Sequence, residues 1–280
     1  MYQRFLSPQS KSFNPLELAH KTEDIITREG EHGLERKYTD FYSAPVYRGI
    51  ATGYAAGCCL RCFYCWANWS RDFPDKKGDF YSPEEAAQNL FKAAERGISS
   101  PGWEQYRHLR IQKLRLSGCE PTLGKNHLLY LLEYVMPSEY SLFILETNGI
   151  LLGSDDEYVK RLAEFKEKLY VRVSLKAATP EGFEKRTGAQ REYYKTPFNA
   201  LKALLDNSIY ARAAAMTDSR VMPQEERDIL LQTLDEIDPE SDYFNTLEEE
   251  DIGPYDTTTA RIKAYYDKDF AEKLQENLEK

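Results

Sequence analysis

Strand-like and helix-like segments alternate along most of this 280-residue chain, and this alternation restricts the possible folds more than any other feature. From residue 46 onwards a short apolar run is followed by an amphipathic stretch about six times, at intervals of roughly 30 residues, the length of one β-α unit. Such repetition predicts a parallel sheet with helices outside it, because right-handed crossovers return each strand to the same sheet. Six units fall short of the eight in a closed barrel. The pattern alone therefore leaves a doubly wound sheet and a partial barrel open.

Helix-capping residues and the spacing of apolar residues predict where the individual helices and strands lie. Ser82-Pro83-Glu84-Glu85 is a capping box with proline at the first helical position, so a helix should begin there. Residues 1–45 are mixed and polar, and we expect an N-terminal extension of uncertain order before a single core domain over 46–280. Phe270, Leu274 and Leu278 lie at helical spacing and predict a C-terminal helix. Strands are predicted over residues 46–53, 111–117, 141–146, 169–175 and 209–215, with a weaker one over 242–247.

Composition narrows the class of protein. Hydrophobic residues at 41% and aromatic residues at 13% are enough to bury a substantial core. The net charge of −9 implies no strongly basic surface and weighs against a nucleic-acid substrate. The five cysteines do not resemble a secreted disulfide framework, and no apolar run approaches the length of a membrane span. We therefore expect a cytoplasmic protein with no membrane partner.

The cysteine-rich stretch at residues 57–65 carries the strongest chemical signal. Cys58, Cys62 and Cys65 follow the pattern C-x3-C-x2-C. Soft sulfur ligands select zinc, copper(I) or iron–sulfur clusters. Closed zinc sites and most cluster sites use four protein ligands, and no fourth Cys or His in a matching position is evident. One coordination position should therefore be left for a ligand that is not protein, although a non-enzymatic zinc or iron–sulfur protein stays an alternative.

With Tyr64 directly before the last cysteine, this stretch resembles the signature of the radical SAM superfamily, most closely that of compact members such as the enzymes that activate glycyl-radical enzymes. The resemblance implies a [4Fe–4S] cluster on Cys58, Cys62 and Cys65, with S-adenosylmethionine (SAM) chelating the fourth iron. It also implies the fold, a partial (β/α)6 barrel with the cysteine loop after the first strand.

Later motifs extend the resemblance and imply SAM contacts. The segment from Ser117 to Pro121 resembles the family's Gly-Gly-Glu-Pro motif, in which the glutamate, here Glu120, binds the ammonium of SAM. It departs from that motif at Cys119, where glycine is usual and where we expect a small residue in a tight turn. Thr147-Asn148-Gly149 and Ser174-Leu175-Lys176 resemble later SAM-binding segments. The complete set of expected SAM-binding residues is Tyr64, Asn68, Ser117, Gly118, Cys119, Glu120, Asn148, Ser174, Lys176 and Arg212.

The function that the resemblance implies is reductive cleavage of SAM to a 5′-deoxyadenosyl radical that abstracts hydrogen from a substrate. An electron donor such as ferredoxin or flavodoxin should supply the electron. The substrate is a protein, as for the activating enzymes, or else a small molecule or, less readily, an RNA base. Cys59 is interpreted as a spare thiol, and the acidic residues 248–251 as a solvated loop.

Overall fold

Nine strands of the described chain form one sheet. The computed structural model describes residues 2–31 and 33–279. The strands are β1 (Thr27–Gly30), β2 (Gly33–Ala44), β3 (Ile50–Ala55), β4 (Asp79–Tyr81), β5 (Lys113–Gly118), β6 (Leu142–Thr147), β7 (Leu169–Leu175), β8 (Tyr210–Met216) and β9 (Glu248–Glu250). Their order in the sheet is β1-β2-β3-β5-β6-β7-β8-β9, with β4 paired to β2. The helices are α1 (Pro15–Ile26), α2 (Pro83–Arg96), α3 (Lys125–Val135), α4 (Asp156–Ala163), α5 (Pro180–Thr187), α6 (Thr196–Asp206), α7 (Gln224–Ile237), α8 (Tyr243–Thr246), α9 (Asp256–Tyr266) and α10 (Lys268–Glu279).

Strands β3, β5, β6, β7, β8 and β9 pair in parallel, and helices connect them. This arrangement confirms the predicted partial (β/α)6 barrel. Apolar residues from the outer face of the sheet, including Leu116, Leu145 and Val173, pack against the helices. Because side chains alternate between the faces of a strand, their neighbours point to the inside of the curved sheet. There Ile50, Ile144 and Tyr170 form a separate apolar cluster.

The predicted elements lie close to the observed ones, with two informative differences. The first strand starts at Ile50 because residues 46–48 form a short 3-10 turn, in which Tyr47 and Arg48 have left-handed backbones with φ of 53° and 60°. The predicted strand over 242–247 is wrong. Asp242 caps a short helix by accepting a hydrogen bond from the main-chain N–H of Asn245, and the strand follows only at 248–250.

The N-terminal region adds to the same sheet. Strand β2 pairs antiparallel with β3 from Tyr38 to Ala44, and β1 and β4 pair with β2. Helix α1 is capped by Asn14, whose side chain accepts from the N–H groups of Leu16 and Glu17. The residues that the sequence left as an extension thus extend the barrel sheet by antiparallel strands. Within the described chain, no helix combines the length and apolarity that a membrane span requires.

Candidate active site

A cavity of about 490 Å³ opens where the parallel strands end. Gly118 ends β5, Thr147 ends β6, and Met216 and Glu250 end β8 and β9, and all four line this cavity. Carboxyl ends of parallel strands are where α/β folds place their chemistry, because the connecting loops converge there. Residues from distant parts of the chain therefore meet in one space.

The three cysteines of the C-x3-C-x2-C pattern all line this cavity as free thiols. Main-chain hydrogen bonds hold the loop that carries them. The N–H of Arg61 donates to the carbonyl of Thr187, and the N–H of Phe63 donates to the carbonyl of Arg186. Cys58 Sγ lies 3.4 Å from the Leu60 nitrogen. The loop that follows β3 is thereby shaped by the last turn of α5.

Cys59 is not among the residues that line the cavity, unlike the three cysteines of the pattern. It is fully buried, and Asn148 Nδ2 lies 3.4 Å from its Sγ. A hydrogen bond from the Cys59 thiol lowers the pKa of Cys58, whereas burial raises the pKa of Cys62 to about 12. Thiols bind metals as thiolates, so occupation of this site would release protons.

The residues present fit an iron–sulfur cluster together with a second ligand. Three free sulfurs line one cavity of about 490 Å³. The buried hydroxyl of Tyr64, a residue that also lines this cavity, has no hydrogen-bond partner among the described residues. In the described part of the chain, no three His, Cys, Asp or Glu side chains are gathered as ligands of a single metal ion.

Glu120 lies on the cavity wall with its carboxylate already ordered. Its Oε1 accepts from Thr122 Oγ1 at 2.6 Å and from Thr147 Oγ1 at 2.7 Å, and its Oε2 accepts from the Asn148 N–H at 2.7 Å. The side chain is 1% exposed. Hydrogen bonds that favour the charged form suit a carboxylate that meets a cationic group.

The loop that carries Glu120 is joined directly to the cysteine loop. The N–H of Cys119 donates to the carbonyl of Ala55, and that of Glu120 to the carbonyl of Gly57. Gly118 has φ of +97°, and a Cβ there would lie 2.5 Å from the Tyr54 ring, so this position requires glycine. The Cys119 thiol lines the cavity 3.3 Å from Ser70 Oγ, and burial raises its pKa to about 12.

A cluster of charged residues that sequence reasoning missed forms the inner wall of the cavity. Glu146 accepts from Tyr47 Oη at 3.0 Å, from Arg115 Nη1 at 3.1 Å and from Ser117 Oγ. Burial alone would raise the pKa of Glu146, but Arg115 and Arg172 outweigh it and lower that pKa. Polar residues at alternate positions of otherwise apolar strands were the available signal.

Glu250 is the second carboxylate of this wall. Arg172 Nη1 donates to its Oε1 at 2.9 Å, Ser174 Oγ donates to its Oε2 at 3.0 Å, and Lys176 Nζ lies 3.6 Å from Oε2. Burial raises the pKa of Glu250, but Lys176 and Arg172 outweigh that effect and hold the pKa at about 2. The interpretation of residues 248–251 as a solvated loop is therefore wrong, since Glu248–Glu250 form strand β9 and Glu250 lines the cavity.

The structure brings most of the predicted SAM-binding residues to this cavity and two of them elsewhere. Arg212 Nη1 donates to Ser241 Oγ at 2.5 Å, and its guanidinium lies 5.8 Å from the Tyr210 ring centroid. Asn68 borders a neighbouring surface depression, where its Nδ2 donates to Thr39 Oγ1 at 3.1 Å. The cavity-lining residues among the predicted set are Tyr64, Ser117, Gly118, Cys119, Glu120, Asn148, Ser174 and Lys176.

Comparisons with known proteins agree with this geometry. A model of the radical SAM superfamily matches residues 54–237. Among solved structures, Streptococcus suis SuiB bound to the precursor peptide SuiA is similar with a TM-score of 0.53 at 16% identity, over 82% of this chain and 45% of that one. SuiB bound to S-adenosylmethionine has a TM-score of 0.52 at 16% identity, over 79% and 44%. A radical SAM methyltransferase from Sphaerobacter thermophilus has a TM-score of 0.51 at 11% identity, over 81% and 64%.

These identities indicate a shared fold, and the chain spans less than two thirds of the length of each of these structures. A comparison with curated proteins finds no match to the sequence.

Proposed function

Because the chain belongs to the radical SAM superfamily, whose cofactors are a [4Fe–4S] cluster and SAM, we propose that Cys58, Cys62 and Cys65 hold the cluster and that the same cavity binds SAM. The observation that carries this proposal is that the three free thiols and the ordered carboxylate of Glu120 line one cavity at the strand ends. When bound, the cluster and SAM would supply the radical chemistry by which hydrogen is abstracted from the substrate, with one electron coming from an external donor.

The protein's own side chains orient the ligands. Glu120 is the acceptor for the ammonium of SAM, since its carboxylate is buried and is held by four donors from Thr122, Thr147 and Asn148. Lys176 is the cation for the SAM carboxylate, and Asn148, whose Nδ2 lies 3.6 Å from Cys58 Sγ, adds a donor near the sulfurs. Ser174 steadies Lys176, whose Nζ lies 2.5 Å from its hydroxyl.

The inner wall is suited to a polar substrate. Arg115, Glu146, Arg172 and Glu250 place paired charges in the same cavity, next to Ser117, Ser174 and Lys176. At its mouth Trp66 and Tyr255 are 45% and 59% exposed, and aromatic side chains of this kind are common where proteins meet. We therefore favour a protein substrate, as for an activating enzyme, over an RNA base, which a chain of net charge −9 would attract weakly.

Enzymes of this family require an electron donor, and ferredoxin or flavodoxin is the donor we propose. A reducing cytoplasm is the compartment that agrees with five free thiols.

The test is anaerobic reconstitution with iron and sulfide, followed by metal analysis and incubation with SAM and dithionite. The wild-type protein should bind iron and sulfide and release 5′-deoxyadenosine. Alanine at Cys58, Cys62 or Cys65 should abolish both the binding of iron and sulfide and the release of 5′-deoxyadenosine. Cys59→Ala is the matched control and should retain both properties. One zinc per chain with no iron would contradict the proposal, and equal effects of all four substitutions would contradict the ligand assignment.

A further inference from the structure

Each of the three proposed cluster cysteines has its main-chain carbonyl bound by a different buried arginine. Arg61 Nη1 donates to the carbonyl of Cys58 at 2.7 Å, Arg71 Nη1 to that of Cys62 at 2.6 Å, and Arg261 Nη1 to that of Cys65 at 2.7 Å. We call these three arginines the arginine collar.

The collar is buried around the cysteine loop. Its three side chains belong to the most buried polar groups of the protein, with residue exposures of 0–2%. Arg61 also donates to the carbonyls of Leu60 and Gln3, at 2.8 Å and 2.5 Å. Its third nitrogen, Nη2, has no hydrogen-bond partner among the described residues. A cation without a carboxylate partner is costly to bury, so this position calls for a negative charge nearby.

One carboxylate serves the other two arginines. Asp72 is fully buried, and its Oδ1 accepts from Arg71 Nε at 3.0 Å while its Oδ2 accepts from Arg261 Nη2 at 2.6 Å. The collar and Asp72 together therefore carry three positive charges against one negative charge. Two positive charges are left over, on side chains that bind the main chain of the three cysteines whose sulfurs bind as thiolates.

Arg261 comes from α9, which lies beyond the residues that the family model matches. The same helix turns two hydroxyls to the loop, since Thr258 Oγ1 donates to the Cys65 carbonyl at 3.3 Å and Thr257 Oγ1 to that of Trp66 at 3.1 Å. Arg261 Nη1 also donates to Ala67, and its Nη2 donates to Asn68. Helix α9 thus fixes the end of the cysteine loop.

We propose that the arginine collar positions the three cysteines and stabilises the reduced cluster electrostatically. Reduction adds one negative charge to a group already held by three thiolates. Fixed positive charges in a buried, weakly screened environment favour that added charge. The proposal rests on the proposed function, because it requires a cluster on Cys58, Cys62 and Cys65. The other charged residues that line the cavity are the same in every variant described below: Glu120, Lys176, Arg115, Glu146, Arg172, Glu250 and Asp251.

A solely structural role would satisfy the three carbonyls and have no effect on the cluster's redox equilibrium. Arg261 separates the two roles best, since Arg261→Lys keeps a cation next to Asp72 and loses most of the hydrogen bonds. Arg261→Gln removes the positive charge next to Asp72. Arg61→Gln removes the positive charge of an arginine that has no carboxylate partner among the described residues. Arg191→Gln is the control, because Arg191 pairs with Glu181 and Glu184 on the surface.

The experiment reconstitutes these four variants and the wild type anaerobically and measures iron content and the reduced fraction of the cluster by EPR at a series of fixed potentials. Arg261→Gln and Arg61→Gln should each lower the ratio of reduced to oxidised cluster about tenfold at a given potential, a downward shift of about 59 mV for a one-electron couple. Arg261→Lys should keep the wild-type ratio of reduced to oxidised cluster even if it binds less iron. Arg191→Gln should keep both the wild-type ratio and the wild-type iron content.

If the glutamine variants bind iron and keep the wild-type ratio of reduced to oxidised cluster, the collar proposal is overturned but the proposed function is not. The same holds if the ratio falls in Arg191→Gln as much as in the glutamine variants of the collar. If the glutamine variants hold no iron, Arg261→Lys decides, and a tenfold lower ratio in that variant overturns the proposal. A wild-type protein that binds no iron would instead remove the proposed function, and the collar's role with it.

Discussion

Carboxylates at the cavity derive their properties from partners far away in the sequence. Glu146 is bound by a tyrosine 99 positions earlier and by an arginine 31 positions earlier. Glu250 is held by Arg172, 78 positions before it. Local sequence around such residues carries little information about their charge state, because that state is set by burial and by neighbours that only folding supplies.

At Glu120 the hydrogen-bond geometry predicts a loss of SAM binding on substitution. Glu120→Gln removes the charge that would pair with the SAM ammonium and places an amide where the carboxylate accepts from Thr147 and Asn148. Hydrogen bonds to charged groups contribute about 1.5–3 kcal/mol, so SAM affinity should fall by roughly ten- to a hundredfold. Calorimetric titration of the iron-loaded variant measures this. Glu276→Gln, on the exposed side of α10, is the control and should bind as the wild type does.

Glu250 should give the stability a characteristic dependence on pH. Its pKa is about 2 in the folded protein against an ordinary value of 4.5, so its ionised form stabilises the fold above pH 4.5. This contribution, up to about 3 kcal/mol, is lost as the pH falls from 4.5 towards 2. Chemical denaturation of wild type and Glu250→Gln should therefore differ most above pH 4.5 and converge near pH 2. A constant difference across that range would show that charge is not the cause.

At the scale of elements, the turn after β5 depends on one glycine. Gly118→Ala puts a methyl group against the Tyr54 ring in a left-handed backbone conformation, and both effects are unfavourable. We expect a loss of about 2–4 kcal/mol in the free energy of unfolding, measured with urea. Gly97→Ala is the matched control, since it has φ of +70° but its Cβ would meet no described atom within 4 Å. Equal losses for the two variants would show that the Tyr54 contact is unimportant.

His127 connects α3 to two strands, and its burial predicts sensitivity to acid. Its ring nitrogens lie 3.4 Å from Tyr38 Oη and 3.0 Å from the Tyr81 carbonyl. Burial, and then Arg36, lower its pKa to about 3, so the folded state keeps it neutral while the unfolded chain takes up a proton below about pH 6.5. Stability should fall by about 1.4 kcal/mol per pH unit between pH 6.5 and 3 from this group alone.

The comparison that isolates this effect is His127→Gln, measured by urea denaturation at each pH. The variant should lose less stability than the wild type over that range, even if it is less stable at pH 7. If the free energy of unfolding falls with pH equally in the wild type and in His127→Gln, a group other than His127 causes the loss of stability.

Across the whole molecule, segments from before residue 54 and from after residue 237 meet at the cavity. Tyr42 and Ala44 of β2 line it from the N-terminal side, and Glu250 and Tyr255 line it from the C-terminal side. The family model covers neither segment, since it ends at residue 237 and begins at residue 54. Ligand binding in such a cavity should stabilise the protein as a unit, because it links segments that are distant in sequence.

Thermal unfolding of the iron-loaded protein tests this coupling. SAM at about 100 times its Kd should add about 2.7 kcal/mol to the stability. For a chain of this size that corresponds to a rise in Tm of roughly 5 °C. The effect should disappear in Cys58→Ala, which lacks a proposed ligand. A rise of the same size in that variant would mean that SAM binds elsewhere.

The sequence by itself determined the alternating β-α units, the cysteine pattern and the segments at the strand ends, because these depend on local periodicity, caps and spacing. It allowed the partial barrel to be predicted and Glu120, Asn148 and Lys176 to be singled out before the structure brought them to one cavity. Only the tertiary structure decided that Arg172 and Glu250 belong to the cavity wall, that Arg212 does not point there, and that Arg261 of α9 binds the cysteine loop. The reason is physical: these contacts join residues far apart in the chain, and their energies arise only when burial removes water from charges that the fold has brought together.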